Sequence, residues 1–151
     1  MTLSIARHGG AAIGYDSATN ERGFLLRFIN RTGGNSVKGT LVSASPSADR
    51  EVIKQASEYD AIGVIQEAGV AEGSECWVWM PGSLCQVLLK DGVGVTRGDL
   101  MIHADTDGRA DVVSPPPPPP TTDTHFKEIG HCFESKTSGT DVLALVCIHF
   151  N

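Results

Sequence analysis

The sequence predicts an all-β protein, and three observations carry that prediction. Short apolar runs recur about every ten residues between Gly-, Pro-, Asn- and Asp-containing breaks, a spacing typical of a small β-barrel or sandwich. Glycine is frequent, with 17 residues in 151, and long helix-forming stretches are scarce. The most continuous apolar run, residues 142–150 (VLALVCIHF), follows a polar turn cluster at 137–141, which predicts a strand buried on both faces.

Residues 1–36 are predicted to form an extended N-terminal arm, because glycines interrupt the segment before any long period develops. Only residues 24–29 (FLLRFI) are clearly apolar, and they predict one short anchoring strand. The arm carries four Arg against one Asp and one Glu, whereas residues 37–151 carry 8 basic and 16 acidic groups. An arm with little core of its own is expected to order on a neighbour, and its removal should leave the body folded. The alternative is that residues 24–29 are an ordinary first strand of the main domain.

Residues 37–151 are predicted to form a β body. Pro81-Gly82 is typical of a tight turn, so the strand after it is expected to return beside the strand before it. The predicted strands are 37–42, 51–55 (or one helical turn), 61–65, 75–80, 84–89, 100–103, 109–113, 127–136 and 142–150.

Six consecutive prolines occupy residues 115–120. They lack amide donors, so they cannot join a sheet ladder, and they favour a polyproline II segment of about 19 Å. The favoured interpretation is a stiff spacer at an exposed end of the body. The alternative is a ligand for an aromatic groove on a partner.

One set of side chains has metal-ligand chemistry: His103, His125, His131, His149, Cys132 and Cys147. A C-terminal hairpin would bring Cys132 nearly opposite Cys147, and strand alternation would put Cys147 and His149 on one face. The close CxxC or HxxH spacings of zinc sites are missing. The sequence therefore favours small buried thiols and no metal site, with a zinc site or a cross-strand disulfide as alternatives. The same interpretation applies to Cys76 and Cys85.

No motif assembles a nucleophile, a base and an oxyanion site, so the chain is predicted to be a binding or structural protein without a cofactor. Trp77 and Trp79 lie at period 2 and therefore on one face of a strand. They are expected at a subunit interface or over the sheet, with a sugar-binding face as the alternative.

Composition narrows the partners and the compartment. The formal charge of −6 argues against nucleic-acid binding, which needs a basic surface. No apolar run approaches the length of a transmembrane helix, and residues 1–8 lack the apolar stretch of a signal peptide. Four cysteines fit synthesis in a reducing cytoplasm.

Several segments together resemble small structural proteins of tailed phages, in particular capsid decoration (cement) proteins with a β-barrel or β-tulip domain. The resemblance covers about residues 30–151 and consists mainly of structural glycines and core alternation. The segments are 30–33 (NRTG), 36–42 (SVKGTLV), 61–64 (AIGV), 69–73 (GVAEG), 76–80 (CWVWM), 97–99 (RGD), 107–110 (DGRA), 125–132 (HFKEIGHC) and 145–151 (LVCIHFN).

The resemblance implies a protein made in the host cytoplasm that binds the major capsid protein on the finished phage head. It implies a homo-oligomer, most often a trimer, that stabilises the capsid mechanically. The arm residues expected to contact an acidic capsid surface are Arg7, Arg22, Phe24, Arg27 and Arg31. The residues expected at the oligomer interface are Trp77, Trp79 and Phe150. A second hypothesis is a virion adhesin or tail-associated module that binds a host-surface glycan through Trp77 and Trp79.

Overall fold

The fold is all-β, as predicted from the sequence. It is seen in a computed structural model that describes residues 6–8, 10–56, 60–113 and 121–150. The predicted polyproline segment at 115–120 lies outside the described residues. The elements are β1 (Ala6–His8), β2 (Ala11–Asp16), β3 (Glu21–Asn30), β4 (Leu41–Ala44), β5 (Glu51–Lys54), β6 (Gly63–Ile65), β7 (Glu75–Trp79), β8 (Leu84–Leu88), β9 (Leu100–His103), β10 (Ala110–Val112), α1 (Thr122–Phe126), β11 (Glu128–Cys132) and β12 (Leu143–Ile148).

The twelve described strands form one hydrogen-bonded sheet in the order β10-β9-β11-β12-β8-β3-β5-β4-β6-β7, with β2 and β1 attached beside β3. Strand pairings are antiparallel except between β3 and β5. Because β7 pairs back onto β3, strands β3, β5, β4, β6 and β7 close a ring. The other strands curl toward a second ring, which a bridge from Leu89 to Ala110 closes. The whole is therefore a curled sandwich and not a single clean barrel.

The hydrophobic core has two parts that follow this division. A small cluster fills the first ring. Strands β4 to β7 contribute buried side chains to it, including Val42, Val52, Ile65 and Val78, and the half-buried Phe28 of β3 packs against them. The larger cluster lies on the opposite face of β4, β6 and β7 and extends across β8, β11 and β12. Alternation along β7 explains the split, because successive side chains point to opposite faces of a strand.

The structure differs from the predicted arm over residues 1–36. β3 has ten residues, the longest strand described, and pairs with β2, β5, β7 and β8. Leu25 at its centre has no exposed surface. The alternative that residues 24–29 belong to the main domain is the correct one, and β2 adds a hairpin partner that was not predicted. Removing residues 1–36 would therefore delete the strand that joins the two halves.

Two predicted local features are also corrected. The strand predicted at 37–42 begins only at Leu41, because Lys38 and Gly39 form a turn in which Gly39 has φ +85°. Strands β7 and β8 do not pair with each other across the Pro81-Gly82 turn. Both pair with β3, β7 through residues 25–29 and β8 through Arg22.

The C-terminal hairpin has the central position that its apolar sequence predicted. β12 lies between β11 and β8, and four of its six residues are buried. Residues 133–142 connect the two strands, and Gly92 N–H donates to the Gly139 carbonyl at 2.9 Å. This terminal strand therefore anchors the second half of the sheet.

Candidate interaction surface

The β2–β3 hairpin is built by local side-chain chemistry at its turn. Asp16 accepts a hydrogen bond from Ala18 N–H at 2.9 Å, and this bond is the main cause that holds the pKa of Asp16 below its ordinary value. Asn20 takes a left-handed φ of 62°, which short polar side chains tolerate in turns. The strands then pair in register from Asp16 and Glu21 to Ala11 and Leu26.

The inner face of this hairpin is packed against the larger core. Gly14 faces the ring of Trp79 so closely that an added Cβ would stand 2.8 Å from the ring carbon Cη2 and 2.7 Å from Leu25 Cδ1. Ala12 and Leu25 complete the buried face. Close backbone approach is what glycine permits in a strand, so Gly14 sets the distance between hairpin and core.

The outer face of the same hairpin exposes four large apolar side chains side by side. The exposed fractions are 60% for Ile13, 43% for Tyr15, 58% for Phe24 and 36% for Leu26. Ile13 is paired with Phe24 and Tyr15 with Arg22, so all five residues share one face. We call Ile13, Tyr15, Arg22, Phe24 and Leu26 the hairpin surface. Contiguous exposed apolar groups of this kind mark interaction sites more often than scattered ones do.

Arg22 supplies a positive charge at the edge of the hairpin surface. Its guanidinium lies over the ring of Tyr15, 5.3 Å from the ring centroid. Within the described part of the chain it forms no ion pair. The cation is therefore held in place by an aromatic ring and remains available to an acidic partner.

The other predicted arm arginines do not join this surface. Arg27 donates to Glu75 at 3.1 Å and stacks on Trp77, 4.6 Å from the ring centroid. That hydrogen bond is the main cause of the lowered pKa of Glu75. Arg31 donates to Glu51 at 2.9 Å, which raises the pKa of Arg31. The side chain of Arg7 lies outside the described part of the structure. Of the five predicted residues, Arg22 and Phe24 are thus brought together, and Arg27 and Arg31 are already paired.

Two of the three residues predicted at an oligomer interface lie in the core instead. Trp79 has no exposed surface and Trp77 only 7%. Phe150 is half-buried and packs against the larger cluster. The two indoles do share one face, as predicted, but that face belongs to the larger core cluster, where Gly14 and Leu25 pack against Trp79. The expectation of an interface or a sugar platform at Trp77 and Trp79 is therefore corrected.

Ile13 and Tyr15 were not predicted as contact residues, because the glycine-rich segment around them does not resemble a strand. The signal was present in the sequence. Residues 12–16 (AIGYD) alternate small or polar with large side chains, the period of a half-buried strand. A glycine at position 14 weakened the pattern, although its role is to fit Trp79.

Three of the four cysteines are small buried thiols, as the favoured interpretation predicted, whereas Cys147 is only half-buried. All four are free thiols, and Cys76, Cys85 and Cys132 are buried. Cys147 pairs with His131 and Cys132 with Val146, so the two thiols lie on opposite faces of the hairpin. A disulfide between them is incompatible with this register. Burial raises the pKa of Cys76 to about 11 and that of Cys85 well above its ordinary value.

A pocket of about 380 Å³ lies where the two halves of the sheet meet. Three cationic side chains line the pocket, those of Lys38, Lys54 and Arg109, and two of them already form ion pairs. Lys38 pairs with the buried Glu21, and Arg109 pairs with Asp91 and Asp141. The pocket therefore lacks the surplus of positive charge that an anionic ligand would need.

The sequence matches no protein-family model and no curated protein. The one helix described, α1, has five residues, so no helix in the described ranges is long enough to span a bilayer.

Proposed function

We propose that this chain is a non-enzymatic structural protein that attaches to a larger assembly through its hairpin surface. We further propose that the assembly is a phage capsid and that the chain is a decoration protein on the virion. The observation that carries the attachment is the row of exposed apolar side chains on β2 and β3. The choice of a capsid rests on the sequence resemblance to small phage structural proteins.

The chemistry of the hairpin surface suits a partner with an apolar groove next to an acidic group. Ile13, Phe24 and Leu26 supply apolar area, while Tyr15 and Arg22 supply an aromatic ring and a cation. Aromatic residues and Arg are the types most enriched among residues that dominate binding energy. A major capsid protein with a complementary patch would bury these side chains on assembly. We propose that several copies bind one shell as a trimer, so that modest contacts add up.

The adhesin alternative depended on Trp77 and Trp79 facing solvent. Glycan recognition was assigned to Trp77 and Trp79, whose rings stack against sugars only if they face solvent. In the folded chain these indoles are in the core.

Two measurements on the purified chain test the proposal. Light scattering measures the mass in solution, where three times 16.0 kDa is expected. Co-sedimentation then measures binding to phage heads prepared without the chain, followed by electron microscopy of the decorated particles. Density at three-fold or quasi-three-fold positions is expected.

Heat resistance of the particles provides a functional readout. Decorated heads should retain their DNA at a higher temperature than bare heads, because each bound copy stabilises the assembled shell by mass action. A monomeric chain that does not sediment with heads would contradict the capsid proposal. Binding that leaves the heat resistance of the heads unchanged would contradict the cement role.

A further inference from the structure

A cluster of two imidazoles and one carboxylate lies on the exposed side of the C-terminal hairpin. Ligand atoms of Glu128, His131 and His149 all lie within 4.8 Å of one another. The hairpin register brings them together, because His131 pairs with Cys147 and His149 N–H donates to the Ile129 carbonyl at 3.1 Å.

A β-bulge puts Glu128 and His131 on the same side. In a regular strand, residues three apart face opposite sides of the sheet. Between Glu128 and Gly130 the register with β9 shifts, and Gly130 takes a φ of +152°. A Cβ at Gly130 would stand 2.0 Å from the Cys147 carbonyl oxygen, so only glycine fits there. Bulges of this kind re-aim side chains next to functional sites.

His149 lies close to both other members of the cluster. His149 Nε2 lies 3.3 Å from His131 Nδ1 and 3.2 Å from Glu128 Oε1. A proton on His149 Nε2 can be donated to the Glu128 carboxylate or to an unprotonated His131 Nδ1, but not fully to both. If that nitrogen carries no proton, it faces the carboxylate with its own lone pair. A metal ion held between the three side chains would take two nitrogen atoms and one carboxylate oxygen as ligands.

Two of the three separations match those between ligands of a tetrahedral metal ion, and the third is at most 4.8 Å. With metal–ligand bonds of about 2.0–2.1 Å, two ligands of a tetrahedron lie about 3.3 Å apart. The two distances from His149 Nε2, to His131 Nδ1 and to Glu128 Oε1, have this value to within 0.1 Å. Two imidazoles and a carboxylate are a ligand set that zinc accepts, with a fourth position left for water.

We propose that Glu128, His131 and His149 bind one divalent transition-metal ion, for which zinc is the best match. The bound ion joins the start of β11 to the residue that follows β12. The ion thereby fixes the end of β12 to β11. The site differs from the zinc alternative considered from the sequence, which used Cys132 and Cys147, since here a carboxylate replaces the thiols.

Calorimetric titration of the chain with Zn²⁺ tests the site, using protein without a polyhistidine tag. One ion per chain is expected for the wild type. His131→Gln and His149→Gln each remove one nitrogen ligand and should weaken binding by at least about tenfold. The tetrahedral geometry can be checked with Co²⁺, whose d–d absorption is intense in four-coordinate sites and weak in octahedral ones.

A neighbouring histidine provides the matched control. His125 Nδ1 lies 4.0 Å from the other oxygen of Glu128, and its side chain is 55% exposed. His125→Gln should bind Zn²⁺ as the wild type does. Melting temperatures without metal check that the three variants are folded. A wild-type chain that takes up no Zn²⁺ would overturn the proposal, as would uptake that His149→Gln leaves unchanged.

Thermal unfolding gives a second readout that does not depend on calorimetry. At Zn²⁺ concentrations roughly a hundred times Kd, a single site on a chain of this size should raise Tm by about 5–10 °C. The rise should disappear in His131→Gln and His149→Gln. An equal rise in these variants would place the metal elsewhere and contradict the assignment.

Discussion

Ile13 and Phe24 are paired across β2 and β3, and each residue is more than half exposed to solvent. Behind them, Gly14 and Leu25 pack against Trp79 in the core. The hairpin thus presents two apolar faces, one that supports the fold and one that is free. This separation allows the fold and the proposed attachment to be tested with different substitutions.

The buried face should respond to substitution at Trp79. Trp79→Ala removes a large side chain with no exposed surface and should lower the free energy of unfolding by about 3–5 kcal/mol. Trp79→Phe should cost less, because it keeps a ring and removes the Nε1–H group, which has no hydrogen-bond partner among the described residues. Urea unfolding followed by circular dichroism checks both. Equal losses in the two variants would contradict this account of the core.

The ion pair between Lys38 and Glu21 should be important to stability, because Glu21 is fully buried. Glu21 also accepts hydrogen bonds from Thr19 Oγ1 at 2.8 Å and Gln86 N–H at 3.0 Å. Lys38→Met would leave a buried carboxylate without its cation and should cost about 3–5 kcal/mol in urea unfolding.

The double variant Lys38→Met with Glu21→Gln provides the control. It removes both charges, so it should recover part of the loss caused by Lys38→Met alone. A double variant less stable than Lys38→Met would show that the buried charge is not the cause.

Gly14 should be intolerant of a side chain. Gly14→Ala places a methyl group against the Trp79 ring and Leu25, and such overpacking costs about 1–3 kcal/mol. Gly34→Ala is the matched control, since nothing lies within 4 Å of its added Cβ. Differential scanning calorimetry should show a lower Tm for Gly14→Ala only. A similar loss at Gly34 would indicate a general effect of replacing glycine.

Thiol labelling tests the burial of the cysteines. The thiolate is the reactive form, so a pKa of about 11 leaves roughly one Cys76 in a thousand ionised at pH 8. In the native protein at pH 8 we expect slow labelling of Cys76, Cys85 and Cys132, with the half-buried Cys147 labelled first. Four thiols should react after denaturation. Mass spectrometry of digested protein identifies the sites, and rapid native labelling of Cys85 would contradict the described packing.

Much of the fold could be predicted from the sequence because the strands carry local signals. Periodic apolar runs and turn residues indicated most of the body strands, and the apolar run at 142–150 indicated a central strand. The pairing partners were not predictable in this way. β3 has ten residues and is therefore long enough to pair with both β7 and β8. No residue near Pro81 and Gly82 indicates that β8 belongs to the other half of the sheet.

The hairpin surface was predicted only in part, because it also depends on how the strands pair and pack. Arg22 and Phe24 were chosen for charge and apolarity, which are visible in the sequence. The exposure of Phe24 and the burial of Trp77 depend on which face of the sheet the second half covers. That is a property of the tertiary fold, so two tryptophans expected at an interface are in the core.

The most direct test of the account is capsid binding by Phe24→Ser compared with Phe133→Ser. Both phenylalanines are more than half exposed, but only Phe24 belongs to the hairpin surface. Unfolding free energies should stay within about 0.5 kcal/mol of wild type for both variants. In co-sedimentation with phage heads, Phe24→Ser should weaken binding about tenfold or more, whereas Phe133→Ser should bind as the wild type does. Wild-type affinity of Phe24→Ser for the heads would contradict the proposal that the hairpin surface makes the attachment.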